Sequence, residues 1–179
     1  MRPDWNTYFI EIAKVVSTRS TCLRRQYGAV IVKDKVIIGT GYNGSPRGYA
    51  NCLDTAKCTR KELNIPSGER YELCEAVHAE QNAIINSPPE RMKDATIYVA
   101  GFEEDRSFAD GKPCLLCARM IKNAQIKDVV YLRKDGTIET ITDILKLIRK
   151  RAQKPINVVN DPAGSGNMLE IKKRQERKG

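Results

Sequence analysis

The chain of 179 residues has one histidine, and it stands in "CEAVHAEQNA", residues 74 to 83, two positions before Glu80. Further on, "PCLLC" sets Cys114 and Cys117 three apart, directly behind Pro113. Imidazole and thiolate are the ligands zinc prefers. One histidine with two cysteines leaves a fourth position open, the pattern of a catalytic zinc rather than a closed structural one. A zinc in such a site lowers the pKa of its bound water to about 7, and a neighbouring carboxylate can carry the proton. Glu80 is the candidate for that carboxylate. At the helical period, residues 78 and 80 point roughly 200° apart, so they do not both clasp one ion. The pair suits one ligand and one group reaching around a helix end to the water. Taken alone, the C-x-x-C spacing is equally that of a redox pair or half a zinc knuckle, and a lone histidine can be a core residue.

Elements must carry these groups to one place. Trp5, Phe9, Ile12, Ala13 and Val16 recur at helical spacing over 4–17, with Asp4 as the cap. "GAVIVKDKVIIGTGYN" reads as a hairpin, with strands at 30–32 and 36–38 around a turn at Lys33 to Lys35. "GYNGSPRG" is a loop with specific backbone demands. Residues 49–74 form a polar insert with a short helix near 54–63. The pattern then predicts a helix over 75–86, a strand over 95–100, a helix over 114–124, a strand over 128–132 and a helix over 140–151. "INVV", 156–159, reads as a last short strand. Cys114 and Cys117 share one face at the start of their helix, where the positive helix end favours thiolates. Helices alternating with strands indicate an α/β three-layer sandwich.

The apolar fraction is 41% and the charged fraction 30%, the composition of a globular chain. No apolar run reaches the roughly 18 residues of a membrane helix. "MRPDWNTYFIEIAK" has acids at Asp4 and Glu11 and no continuous apolar stretch, so no secretory signal is expected and the chain is placed in the cytoplasm. In a reducing compartment its six cysteines are metal ligands, nucleophiles or core residues before they are disulfides. The net charge is +9, but Lys146 to Gly179 holds ten basic residues against three acids. The remainder is near neutral, so no domain-wide nucleic-acid surface is implied. The expected organisation is one domain over 1–151 and a basic, partly disordered tail over 152–179.

The H-x-E…P-C-x-x-C combination is the signature of the zinc deaminases. "RRQYGAVIV", "GTGYNGSPRG", "PSGERYELCEAVHAEQNAI" and "GKPCLLCARMIKNAQIKDVVY" together resemble the deoxycytidylate (dCMP) deaminase family over roughly residues 5–132. The "GYNG-x-P-x-G" loop before H-A-E separates this resemblance from tRNA adenosine deaminases and riboflavin-pathway deaminases. The resemblance implies a cytidine-deaminase-like fold, with a mixed central sheet covered by helices on both sides. It implies hydrolysis of dCMP to dUMP and ammonia, supplying the precursor of thymidylate. It also implies a homo-oligomer, often a hexamer, with dCTP and dTTP as effectors.

By the same resemblance, His78, Cys114 and Cys117 hold the zinc, and Glu80 moves protons between water, N3 of the cytosine and the leaving amine. The backbone N–H of Ala79 is assigned to the pyrimidine carbonyl. Asn43 is either a contact to the sugar or a plain turn asparagine. Arg25 is assigned to the phosphate, with Arg24 and Arg47 nearby in sequence.

Cys22, Cys52, Cys58 and Cys74 remain. An insert of 26 residues with little apolar content needs something to fix it. A zinc held by four thiolates would do so, and some family members carry a structural zinc here. Versions of that site with a second histidine are excluded by the composition, and four buried free thiols are the alternative. Two other classes compete. A polynucleotide deaminase is favoured by the basic tail, but no basic and aromatic interleaving surrounds the motifs. A non-enzymatic zinc module has no use for Glu80.

Overall fold

In the computed structural model the backbone is described for residues 1–152 and the side chains for residues 1–149. The 156–159 segment and most of the basic tail therefore lie outside the described residues. Helix α1 (Trp5–Ser17) begins where Asp4 accepts from the backbone N–H groups of Asn6 (2.9 Å) and Thr7 (3.1 Å), as an N-cap should. Strands β1 (Arg25–Lys33) and β2 (Val36–Tyr42) form the expected hairpin, with β1 longer at both ends and β2 longer at its C-terminal end than the apolar runs alone indicate. Asp34 and Lys35 both take positive φ in its two-residue turn, which matches the twist of the strands.

The expected single helix near 54–63 is two short helices, α2 (Cys52–Thr55) and α3 (Thr59–Glu62). Ala56 turns left-handed and Cys58 is extended between them, so the helical hydrogen-bond ladder breaks. A 3₁₀ turn follows at Tyr71–Leu73. Helix α4 (Ala79–Ile85) starts four residues later than its periodicity predicts. The cause is tertiary: Val77 exchanges backbone hydrogen bonds with Gly44 (2.9 and 3.2 Å), which keeps 75–78 extended. Helix α5 (Pro89–Met92) precedes β3 (Thr96–Glu103), and α6 (Leu115–Asn123) precedes β4 (Asp128–Leu132). The segment assigned to one helix over 140–151 splits into β5 (Ile138–Ile141) and α7 (Ile144–Ala152).

The sheet runs β2-β1-β3-β4-β5, with only β3 and β4 parallel, so it is mixed as expected. Side chains alternate across it. Ala29, Ile31, Ile97, Val99, Val129 and Tyr131 meet Ala79, Ala83, Ala118, Ile121 and Ile144 of α4, α6 and α7. Val30, Val32, Tyr98, Ala100, Val130 and Leu132 meet Phe9, Ile10 and Ala13 of α1. The result is three layers, α/β/α. Two glycines set the spacing. A Cβ at Gly28 would lie 2.2 Å from the Ala13 carbonyl, and one at Gly41 would lie 2.2 Å from the Ala83 nitrogen. Both helices thus approach the sheet more closely than any larger residue allows.

Candidate metal centre and catalytic cleft

His78 is not inside its helix but is the N-cap of α4, with extended backbone. Its N–H donates to Gln81 Oε1 at 2.9 Å, which orients the first turn. Cys114 is likewise the N-cap of α6, and its sulfur accepts from the Cys117 N–H at 3.5 Å. Two helix starts thus converge over β1 and β3. His78 Nδ1 lies 3.5 Å from Cys114 Sγ and 3.3 Å from Cys117 Sγ. Among the described residues this is the group whose donor atoms all lie within 4.8 Å of one another. One imidazole nitrogen and two sulfurs at that spacing fit a zinc ion, with room for a further ligand.

The electrostatics fit the same occupant. Cys114 is pulled down to about 4, first by the hydrogen bond from Cys117 and then by His78. Cys117 is pushed up by that same bond and by burial, so the metal-free pair shares one proton. Burial lowers the His78 imidazole, but the Cys114 hydrogen bond and the Glu80 and Cys114 charges outweigh it and leave it raised. Glu80 is 7% exposed, and its burial raises the carboxyl from its ordinary value. A buried carboxyl beside these ligands is placed to move a proton to a ring nitrogen.

The centre opens into a cleft of about 350 Å³, the lower end of the ~300–1,000 Å³ typical of small-molecule sites. Ala79, fully buried, Asn43 and Arg25 all line it. Asn43 is a structural hub: its Oδ1 accepts from the Tyr27 N–H (2.7 Å) and Ser20 Oγ (2.8 Å), and its Nδ2 donates to the Arg25 carbonyl (2.9 Å). Arg25 is paired with Glu103 (2.7 Å) and donates to Ser67 Oγ (2.8 Å), tying the insert to the start of β1 and the end of β3.

Two residues of the insert reach the centre unannounced by the sequence. The Tyr71 ring stands edge-on to His78, centroids 5.0 Å apart. Arg60 lies 5.2 Å over that same Tyr71 ring and is 7% exposed. Its guanidinium donates to the carbonyls of Glu69, Arg70 and Pro66. Among the described residues it has no carboxylate in ion-pair contact. An arginine in a polar, irregular segment carries no periodic signal, so nothing in the sequence marks it as buried.

Cys22, Cys52, Cys58 and Cys74 are free thiols and are electrostatic neighbours, since the other three all raise Cys52 after burial does. Cys22 accepts from the Arg24 N–H (3.4 Å), and Cys74 from the Ala76 N–H. No three of the four bring their sulfurs within 4.8 Å of one another. Among the described residues, no helix is long and apolar enough to cross a membrane.

Comparison with known proteins gives this geometry a context. A deoxycytidylate deaminase of Schizosaccharomyces pombe is 37% identical over 130 residues, which are 73% of this chain but 37% of that protein. The chain thus spans well under half the length of that relative. A deoxycytidylate deaminase of Mycobacterium phage D29 is 39% identical over 135 residues, covering 73% of this chain and 95% of the phage protein. The crystal structure of dCMP deaminase from cyanophage S-TIM5, in complex with dCMP and dUMP, superposes with a TM-score of 0.52 at 25% identity. The match covers 84% of this chain and 93% of that one. Residues 3–133 match the cytidine and deoxycytidylate deaminase zinc-binding region, and with His78, Cys114 and Cys117 gathered beside Glu80 the chain belongs to that family.

Proposed function

We propose that this protein deaminates dCMP, converting dCMP and water to dUMP and ammonia. The observation that carries the reading is the buried Glu80 carboxyl beside a His78–Cys114–Cys117 trio, at the floor of one cleft. A zinc held by those three residues would supply a polarised water at neutral pH. Glu80 takes a proton from the water and delivers it to N3 of the ring. It then serves the leaving amine. The Ala79 N–H is available to the pyrimidine carbonyl, and Asn43 fixes the cleft wall where the sugar lies. The S. pombe and phage relatives are deoxycytidylate deaminases, which supports dCMP over a polynucleotide.

The reading extends to a second, structural zinc at Cys22, Cys52, Cys58 and Cys74. Four neighbouring thiols, two of them accepting N–H bonds from two residues on, are a donor set suited to zinc. The buried Arg60 charge favours an anionic cluster beside it. Binding there requires the thiols to draw closer than they stand. A cytoplasmic homo-oligomer, hexameric and answering to dCTP and dTTP, completes the proposal. Exposed Tyr49, Leu53 and Ile85 support association, and the effectors rest on family resemblance.

The test is a panel of dCMP, deoxycytidine, CMP, dCTP and a tRNA hairpin, assayed with zinc-loaded protein. dCMP should be the preferred substrate, and equal kcat/KM on the hairpin would overturn the reading. Elemental analysis should give two zinc ions per chain, falling to one in Cys58→Ser. One zinc in both proteins would remove the second site.

A further inference from the structure

A histidine that binds metal through one ring nitrogen is normally steadied through the other, which donates to a carboxylate, a carbonyl or water. His78 turns Nδ1 to the two sulfurs, Cys114 at 3.5 Å and Cys117 at 3.3 Å. Among the described residues, no group is hydrogen-bonded to its Nε2. The backbone of His78 is fixed as the N-cap of α4, with its N–H on Gln81 Oε1. The imidazole itself still turns about a soft torsion, because a bond from Cβ to an sp² ring carbon has broad wells. Something must hold the ring plane if Nδ1 is to point at a metal.

The group that stands against it is Tyr71. The two rings meet edge to face, with centroids 5.0 Å apart and planes 71° apart, a favoured aromatic geometry. We propose that Tyr71 is a positioning residue of the metal centre: its ring braces the His78 imidazole, and Arg60 locks that ring in place, so the insert sets the direction of the Nδ1 ligand. The brace rests on the reading of His78 as a zinc ligand and adds a residue to that site.

Tyr71 opens the 3₁₀ turn Tyr71–Leu73, and its carbonyl accepts from the Cys74 N–H at 3.0 Å. None of the residues of that turn is fully buried, so its own packing does not fix the ring. Arg60 supplies the anchorage. It is itself buried, it lies 5.2 Å from the Tyr71 ring centroid, and its guanidinium donates to the carbonyls of Pro66, Glu69 and Arg70. The Arg70 carbonyl belongs to the peptide that leads into Tyr71. Arg60 thus grips Tyr71 by the face of its ring and by the peptide ahead of it. A guanidinium can do both at once, because its planar fork of donors also stacks on aromatic faces. Tyr71 lines the cleft as well, so a brace must be told apart from a wall against substrate.

The chain has one histidine, so the imidazole signals of untagged protein with isotope-labelled histidine report residue 78 alone. The variants are Tyr71→Leu, Tyr71→Phe and Arg60→Met in the full-length chain. NMR compares the metal-free and zinc-loaded forms, competition with a chelator gives zinc affinity, and dCMP turnover is measured at saturating zinc. The wild type should show one sharp imidazole set. Tyr71→Leu should broaden or split it, weaken zinc about ten-fold, the usual scale for losing a partner of a metal ligand, and lower kcat with little change in KM. Tyr71→Phe keeps the ring and should restore all three. Arg60→Met, with Tyr71 intact, should move each the way Tyr71→Leu does, by a smaller amount. A sharp imidazole set with unchanged zinc affinity in Tyr71→Leu overturns the brace, and so does a raised KM as the sole effect, which marks a wall against substrate. Losses in Tyr71→Phe equal to those in Tyr71→Leu assign the role to the hydroxyl and overturn a ring brace. Should Tyr71→Leu fail to fold, Arg60→Met decides by the same criteria. A wild type that fails to turn over dCMP, while Tyr71→Leu changes the imidazole signals and zinc affinity as expected, overturns the substrate reading and leaves the brace standing.

Discussion

The catalytic centre and the 49–74 insert meet at the His78 ring, but they are held by different forces. His78, Glu80, Cys114 and Cys117 sit at the starts of α4 and α6, whose inner faces are packed on the sheet through Ala79, Ala83, Ala118 and Ile121. In the insert only Arg60 and Ile65 are buried. It is shaped by Arg60 on three carbonyls, by Arg25 on Ser67, and by thiols that neighbour one another. Apolar packing fixes a reacting geometry without help from a ligand. Polar ties hold a cover whose integrity depends on each of a few residues.

The largest expected effect lies in the chemistry and should leave both regions intact. Glu80→Gln should keep its zinc and its melting temperature but lose about 10² to 10⁴ in kcat, the usual share of a positioned proton carrier. Retention of more than roughly a tenth of the wild-type rate, outside that range, would show that another group moves the proton.

Next comes the scaffold. Phe9 is 2% exposed and packs on Tyr98, ring centroids 5.0 Å apart, across the sheet from the centre. Phe9→Ala should cost about 3–5 kcal/mol. Chemical denaturation should show the catalytic centre and the insert failing together in one transition. Loss of the insert alone would contradict the division drawn above.

Arg60→Met should do the reverse. It keeps volume but removes the guanidinium from the carbonyls of Glu69 and Pro66 and from the Tyr71 face, while the Arg70 carbonyl still accepts from the Leu73 N–H, a loss of about 1–3 kcal/mol. Hydrogen exchange should rise across 60–74 and stay unchanged in β1, β3 and β4. Because Tyr71 abuts His78, kcat should fall several-fold while zinc content holds. Uniform destabilisation of the sheet would show that the insert is not a separate unit.

The smallest effect concerns the metal centre itself. In the metal-free pair Cys117 holds the shared proton, and Cys114, at about 4, is already a thiolate at neutral pH. Zinc uptake must expel the Cys117 proton, so affinity should fall about ten-fold for each unit by which the pH is lowered while His78 is still neutral. The raised His78 adds to that slope at the acid end. Titration calorimetry in two buffers of different ionisation enthalpy should report the released proton, and no buffer dependence would assign the proton elsewhere.

The chemistry was written in the residues themselves. His78, Cys114 and Cys117 stand in motifs whose ligand types are compatible with one zinc, Glu80 stands two residues from His78, and apolar β-branched runs such as "AVIV" indicate strands. Those signals are local, because ligand chemistry and side-chain periodicity are properties of neighbouring residues. Tertiary structure decided the rest. The Gly44–Val77 pairing moved the helix start to Ala79 and made His78 its cap, and the edge of β4 turned residues 138–141 into a strand. Burial of Arg60, the commitment of Arg25 to Glu103, and the meeting of Lys112 with Lys134 at one cleft each join segments far apart in the chain. Such partnerships depend on which chain crossings the sheet brings together, and no local pattern in a single sequence records them.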